Sequence, residues 1–267
     1  MGLLLLVAGI FTALPLVYSI INAFKPLNEL FLYPPRFFVY HPTMDNFKDL
    51  MQATSEMLAP FERYVFNSLF TTVVGTVGYI FVACFAAYPL AKHKFPGRAV
   101  ISNIVIFGIL FRQEVTSIPQ YVIIAKLGMI NTYWSVLLPA MAGSFGIFLM
   151  KQFISSLPND VLEAARIDGL GEILIFFRIV MPMTKPAWIT LVIFTFQSMW
   201  NSTGVSFIYD ESMKMLPTAL QQISTAGFQQ AGIGSAVACF MMLPPILIFI
   251  LCQNSVLETM AYSGLKS

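Results

Sequence analysis

The sequence predicts an all-α polytopic membrane protein with six transmembrane helices. Its composition is 57% hydrophobic and only 10% charged, with a mean hydropathy of +0.76. These values are far too apolar for an ordinary soluble domain. A helix needs about 20 apolar residues to cross the hydrocarbon core of a bilayer, and six windows of that kind carry few charged residues.

The windows follow one another along what we expect to be a single domain. They lie at about residues 3–24, 66–90, 100–125, 134–153, 187–209 and 232–252. No Gly/Ser-rich linker or low-complexity segment separates them, so we expect one transmembrane domain over residues 1–267. It contains a connection at about 25–65 and a core at about 66–255, and the core includes a loop at about 155–186 between helices 4 and 5.

The first window has a second interpretation as a secretory signal peptide. It is N-terminal and has small residues near Ala23, as a signal peptide does. However, it lacks a basic n-region and is long enough to span the bilayer, which favours an anchor helix.

Basic residues in the connections predict the orientation, because short cytoplasmic loops carry an excess of Lys and Arg. The second connection, "KHKFPGR", holds Lys92, Lys94 and Arg98 and no acidic residue. We therefore expect this connection, the loop at 155–186 and both chain termini to be cytoplasmic. The connection at 25–65 then faces outside.

Several function classes are excluded by the residues present. A net charge of +2 and the lack of a basic run with interleaved aromatic residues argue against nucleic-acid binding. Cys84, Cys239 and Cys252 lie in apolar runs without metal-site spacing, and His41 and His93 fall on opposite sides of the predicted membrane. The sequence has no GxxxxGK[ST] phosphate loop, so any energy from ATP would have to come from another chain.

The loop between helices 4 and 5 reads "SSLPNDVLEAARIDGLG" and predicts a short helix. Ser156 or Asn159 can cap its start and Pro158 suits its first turn. Gly169 can end the helix with a positive backbone angle.

A second short apolar segment, "EILIFFRIVMP", follows Gly171, and we expect Pro182 and Pro186 to stop it. The side chains of Ala164 and Ala165 are small, so another surface can approach the backbone of the first helix closely. An ordinary amphipathic loop at the membrane surface is the alternative interpretation.

The order of residues in this loop resembles the EAA loop of permease subunits of binding-protein-dependent ABC importers. The resemblance rests on Glu163-Ala164-Ala165, then Asp168-Gly169, then Phe176, Ile179 and Pro182. The stretches "AAYPLAKHKFPGR" and "IPQYVIIAKLGMINTYWSVLLP" and a "WN" pair resemble the carbohydrate-uptake branch, specifically its maltose-type second permease with six helices.

The resemblance implies how the protein works and what it binds. The loop would be a coupling helix that docks on a cytoplasmic ATPase, and the docking residues would be Glu163, Ala164, Ala165, Asp168, Gly169 and Pro182. The partners would be a second, homologous permease in a heterodimer, two ATPase subunits and an extracytoplasmic solute-binding protein. The complex would import a sugar or oligosaccharide through the bacterial cytoplasmic membrane by alternating access, and this chain would bind no cofactor.

The third window contains "FRQEV", with Arg112, Gln113 and Glu114 near its middle. Charges at that depth are costly and usually face a bundle interior or an aqueous path, so we hypothesise that these residues line the translocation path. A purely structural ion pair is the alternative. Residues two apart on a helix do not face each other, so a pair would need a helix break, which Pro119 could provide. Arg112 departs from the family's usual pattern.

The fifth window offers Gln197, Trp200 and Asn201, which helical spacing predicts to share one face. Amide groups and an indole can hydrogen-bond and stack on sugar rings, so this face is a second candidate for the path. Hydrogen bonding to a neighbouring helix is the alternative.

Other functions remain as alternatives to a sugar-importer permease. An ion-gradient-driven secondary transporter or a channel would predict an internal repeat, and we find none that is convincing. A membrane scaffold and an importer of a non-sugar solute are the others.

Overall fold

The computed structural model describes residues 2–55, 57–111, 113–224 and 231–264. Every regular element in these ranges is helical, with no strand among them, which confirms the predicted all-α fold. Within these ranges, four helices are long and apolar enough to cross a membrane, and the number rises to six if each of two bent helix pairs forms one span.

The α-helices are α1 (Gly2–Ala23), α2 (Leu27–Leu30), α3 (Asp45–Ser55), α4 (Phe61–Lys92), α5 (Arg98–Leu110), α6 (Gln113–Lys126), α7 (Trp134–Met141), α8 (Ser144–Ser155), α9 (Asn159–Ile167), α10 (Glu172–Ile175), α11 (Met181–Met183), α12 (Lys185–Trp200), α13 (Leu216–Ser224) and α14 (Ala231–Gly264). A π-helical turn covers Phe176–Val180 and a 3-10 turn covers Glu211–Met213.

Four of the predicted windows coincide with single spans. The first, second and sixth correspond to α1, α4 and α14. The fourth corresponds to Trp134–Ser155, which combines α7 and α8. The structure extends α4 and α14 beyond the predicted bounds, because an apolar window marks the bilayer segment and not the polar turns at its ends.

The third and fifth windows are corrected by the structure. The third divides into α5 and α6, with Phe111 in extended backbone (φ −80°, ψ 119°) between them. The break therefore lies before Pro119, which is inside α6. The fifth ends at Trp200 and not at residue 209, because the polar run Asn201–Gly204 follows and Gly204 has a φ of 62°.

The described residues form two compact units, of which the first comprises 1–67, 203–205 and 209–246. Buried amide side chains hold its loops. Asn46 Nδ2 donates to Ala23 O at 2.9 Å and to Lys25 O at 2.7 Å. Asn67 Nδ2 donates to Ser212 O and to Lys214 O, both at 2.9 Å. Hydrogen bonds from the Asn46 side chain to backbone carbonyl groups thus help to order the connection after α1.

The second unit comprises 68–202, 206–208 and 247–267. Its apolar core joins α4, α8, α9, α12 and the segment between α9 and α12, and it includes Cys84. Tyr79 on α4 reaches the first turn of α8, where its hydroxyl accepts a hydrogen bond from Gly146 N at 2.7 Å. A Cβ at Gly146 would lie 2.6 Å from that hydroxyl oxygen, so this close approach requires glycine.

Candidate coupling site and solute path

The helix that carries Glu-Ala-Ala is α9, and it begins without a side-chain cap. Pro158 is the N-cap residue, with φ −61° and ψ 131°. The predicted caps are wrong, because the Ser156 hydroxyl donates to Phe153 O and Asn159 Oδ1 accepts from Lys92 Nζ at 2.8 Å. Asp160 in the first turn supplies the negative charge that a helix N-terminus favours.

The C-terminal end of α9 confirms the predicted role of Gly169, which has a φ of 83°. Gly169 N donates to Arg166 O at 3.0 Å, and Leu170 N donates to Ala165 O at 3.0 Å. These two bonds form a Schellman motif, which satisfies the last carbonyl groups of the helix and reverses the chain sharply.

The residues of α9 differ in their exposure to solvent. Leu162 and Ala165 are buried and belong to the core of the second unit. Glu163, Ala164 and Asp168 are exposed. Ala165 therefore brings α9 close to its own chain, whereas Ala164 leaves the outer face of the helix accessible.

The segment after α9 is helical from Glu172 to Met183, and Pro182 does not stop it as predicted. A π turn over Phe176–Val180 precedes the proline, and Met181 N donates to Phe176 O, five residues back. The wider turn accommodates a proline ring that would clash with the carbonyl four residues earlier in a regular α-helix. The chain bends by 78° at Thr184 instead, and Pro186 lies in the first turn of α12.

Arg166 and Glu172 form an ion pair across the Gly169 turn. Arg166 Nε donates to Glu172 Oε1 at 2.7 Å. The hydrogen bond to this carboxylate raises the pKa of the Arg166 guanidinium above its usual value. This pair was not predicted, because Arg166 and Glu172 lie six residues apart in the sequence and a turn separates them.

The predicted path residues in the third window are only partly described. Arg112 lies outside the described residues, and so do the side chains of Gln113 and Glu114, although Gln113 begins α6. Their contribution to a translocation path stays a prediction.

The predicted shared face of the fifth window is divided in the structure. Gln197 and Asn201 are exposed, and Asn201 Nδ2 donates to Gln197 O at 2.9 Å. Trp200 is only 2% exposed and stacks on Phe196 with ring centroids 6.4 Å apart. The indole of Trp200 is thus part of the packed core of the chain and does not share the exposed face of its two neighbours.

A cavity of about 230 Å³ lies beside α12. Its lining residues are Tyr79, Ala140, Phe145, Leu191, Phe194, Thr195, Ser198 and Met199. Phe145 and Phe194 form an edge-on ring pair with centroids 6.3 Å apart. Sequence reasoning missed Phe194 and Ser198, although their spacing of four residues places them on the same helical face.

Comparison with known proteins identifies the family. Residues 5–258 match the family described as "Binding-protein-dependent transport system inner membrane component". The chain belongs to this family. It is thus a membrane transport subunit and not an enzyme, which confirms the predicted importer permease and decides against an ion-gradient-driven transporter, a channel or a scaffold.

Individual relatives agree with this assignment. Protein LplC of Bacillus subtilis (strain 168) is 34% identical over 223 residues, which cover 81% of this permease and 72% of LplC. The arabinooligosaccharides transport system permease protein AraQ of the same organism is 28% identical over 256 residues, 94% of this chain and 90% of AraQ.

A solved structure shares the fold. The crystal structure of a bacterial ABC transporter involved in the import of the acidic polysaccharide alginate contains a chain that is 21% identical to this permease. The TM-score is 0.81, and the match covers 95% of this permease and 94% of that chain.

Proposed function

We propose that this permease pairs with a second, homologous permease and that the heterodimer imports a sugar or oligosaccharide by alternating access. Two cytoplasmic ATPase subunits drive the import, and an extracytoplasmic binding protein supplies the solute. The observation that carries the proposal is α9, a short helix with one face seated in the core of its own chain and the other face exposed. A rigid helix with small and charged residues outside fits a docking element that transmits force.

The exposed face of α9 supplies the contacts to the ATPase in this proposal. Glu163 and Asp168 offer charges at its edges, and Ala164 lets the partner approach the backbone. Ala165 and the Gly169 turn do not contact the ATPase in this proposal. Ala165 fixes the position of the helix from its buried face, and the Gly169 turn fixes its C-terminal end. Pro182 acts at a distance, through the segment that connects this helix to α12.

The solute path in this proposal runs along the exposed face of α12. Phe194 and Phe145 present aromatic rings to the cavity, and Ser198 and Thr195 present hydroxyl groups. Rings that stack on apolar sugar faces next to hydroxyl hydrogen-bonding groups are typical of carbohydrate sites. Gln197 and Asn201 extend this surface, and Arg112, Gln113 and Glu114 are proposed to line the same path.

Further observations support the proposed sugar substrate and the proposed second permease. AraQ is a transport permease for arabinooligosaccharides, and the solved structure belongs to an alginate importer. The apolar side chains of α1 are exposed along most of its length, with Leu3 at 80% and Phe11 at 74%. Such a helix suits contact with lipid and with a homologous permease. Cytoplasmic termini follow from the basic connection at 92–98.

Transport by the purified complex tests this proposal. The tagged permease is expressed with its neighbouring genes and reconstituted in liposomes that enclose ATP, with the binding protein outside. We expect an ATPase and a second permease to copurify, and labelled oligosaccharide to accumulate only when ATP and binding protein are both present. A complex without an ATPase, or uptake that depends on an ion gradient alone, would contradict the proposal.

A further inference from the structure

Side chains at the C-terminal end of α4 contact the chain on both sides of α9. On the N-terminal side, Lys92 Nζ donates to Leu157 O at 2.6 Å and to Asn159 Oδ1 at 2.8 Å. It also lies 3.3 Å from Ser155 O, at the end of α8. Lys92 thus binds the three-residue junction between α8 and α9 and the residues that flank it.

On the C-terminal side of α9, the contact is made through one carboxylate. Tyr88 on α4 donates its hydroxyl to Glu172 Oε2 at 2.7 Å, and His93 Nε2 lies 3.3 Å from the same oxygen. Arg166 on α9 binds the other oxygen. Glu172 therefore connects α9, the segment that follows the Gly169 turn, and the end of α4.

Apolar packing holds the same elements together. Tyr88 and Ala87 of α4 share one buried cluster with Leu162 and Ala165 of α9. The Tyr88 ring also lies 5.7 Å from the ring of Phe176, between centroids. The burial of these side chains supplies most of the stability of the contact.

The polar contacts serve a different purpose from the apolar packing. The side chains of Arg166 and Glu172 are 38% and 46% exposed, and ion pairs that are this accessible to solvent contribute little to stability. A carboxylate that accepts hydrogen bonds from two elements does, however, fix the angle between them. The loss of Glu172 is thus expected to loosen the orientation of α9 without unfolding the chain.

We propose that Lys92 and Glu172 are positioning residues that fasten both ends of the coupling helix α9 to the C-terminal end of α4. A displacement of α9 by the ATPase then moves the second span directly, as one rigid body with the helix. This inference rests on the proposed function, since it assumes that an ATPase docks on α9.

The ratio of ATP hydrolysed to sugar transported tests the inference in the reconstituted complex. Glu172→Gln and Lys92→Met are compared with the wild type and with Asp45→Asn, which removes a carboxylate from an exposed ion pair with Lys48 remote in sequence from α9. We expect the two positioning variants to bind the ATPase normally and to hydrolyse ATP, but to use about threefold more ATP per sugar or worse. Asp45→Asn is expected to match the wild type.

Two outcomes of that comparison would overturn the inference. In the first, both positioning variants transport with the ratio of the wild type. In the second, uptake and hydrolysis fall in the same proportion, which indicates lost assembly and not lost coupling. A wild-type complex that lacks an ATPase or does not transport would instead contradict the proposed function.

A distance measurement tests the rigid attachment itself, including for a variant that assembles poorly. Spin labels are placed at Val77 on α4 and at Asp160 on α9, both exposed, after replacement of the native cysteines. We expect the same distance in the nucleotide-free and the vanadate-trapped wild-type complex, and a broadened or shifted distribution in Glu172→Gln. A wild-type distance that changes between the two states, or an unchanged distribution in Glu172→Gln, would overturn the inference.

Discussion

At Gly169, α9 ends in a backbone conformation that only glycine adopts at low cost. Its φ is 83°, and no other atom lies within 4 Å of the position that a Cβ would occupy. Any penalty for a larger residue is therefore backbone strain and not a steric clash. Gly171 is also surrounded by open space, but its φ is −72°, so it provides a matched control.

We predict that Gly169→Leu uncouples transport and that Gly171→Leu does not. A left-handed conformation costs a non-glycine residue about 1–2 kcal/mol, which corresponds to about a 5- to 30-fold loss of the docking-competent conformer. Uptake per permease in the membrane is the measurement. Equal uptake by the two variants would show that this turn does not control docking.

The burial of Trp200 leads to a second prediction at the residue scale. Trp200→Ala removes a core ring and should lower the free energy of unfolding by about 3 kcal/mol or more. Ser198→Ala should leave stability unchanged but raise the half-saturation concentration for sugar about 2- to 10-fold, because it removes one hydrogen-bonding group.

Thermal unfolding in detergent and uptake kinetics separate the two effects. The assignment of these residues would be contradicted if Trp200→Ala were as stable as the wild type and Ser198→Ala had a normal half-saturation concentration.

Among the elements, α9 has two faces that single substitutions can distinguish. Ala165 is 6% exposed and packs inside the chain, whereas its neighbour Ala164 is exposed. We predict that Ala165→Leu overpacks the core and destabilises the isolated permease by about 1–3 kcal/mol. Ala164→Leu should change its stability by less than about 0.5 kcal/mol but reduce the amount of ATPase that copurifies.

The melting temperature of the permease alone and the ATPase recovered per permease are the two measurements for this pair. If Ala164→Leu lowered the melting temperature and left ATPase binding intact, the exposed face of α9 would not be the docking face.

The two ends of α9 show which helix boundaries local sequence signals can predict. The C-terminal end of α9 was predictable, because Gly169 alone specifies the Schellman turn. Its N-terminal end was not, because Lys92, distant in the sequence, takes the side chain of Asn159 that would otherwise serve as a cap. Tertiary contacts therefore override a local capping preference.

The helix breaks show the same limit. The third and fifth windows stay apolar across the break at Phe111 and past the end of α12 at Trp200. Hydropathy therefore could not locate these two helix boundaries. Pro119 and Pro182 were poor guides, because a proline inside a helix can be accommodated by local widening such as the π turn before Pro182.

For the whole molecule, the all-α membrane fold and the family were predictable from the sequence, but the arrangement of the site was only partly so. Apolar length and basic connections are properties of the chain itself, and the residues from Glu163 to Pro182 follow a motif. The contacts of Glu172 and the cavity beside α12 depend on residues brought together by folding. Helical spacing gave the right neighbours for Gln197 and Asn201, but not the burial of Trp200.

The proposed topology leads to a prediction for the intact protein. With the native cysteines replaced, Lys48→Cys should react with a membrane-impermeant maleimide on intact cells. Lys94→Cys should react only after the membrane is permeabilised, because its connection is expected to be cytoplasmic. Labelling of Lys94→Cys in intact cells would reverse the proposed orientation and remove α9 from the side of the ATPase.

Site-specific crosslinking tests the central claim most directly, namely that an ATPase drives this permease through α9. A photo-crosslinking residue is placed at Asp160, which is exposed in the first turn of α9, and a control is placed at Lys48. We predict that irradiation of cells joins position 160 to a protein whose peptides contain a GxxxxGK[ST] phosphate loop, and that position 48 captures no such protein. A folded, transport-active permease whose position 160 never captures the ATPase would contradict the account.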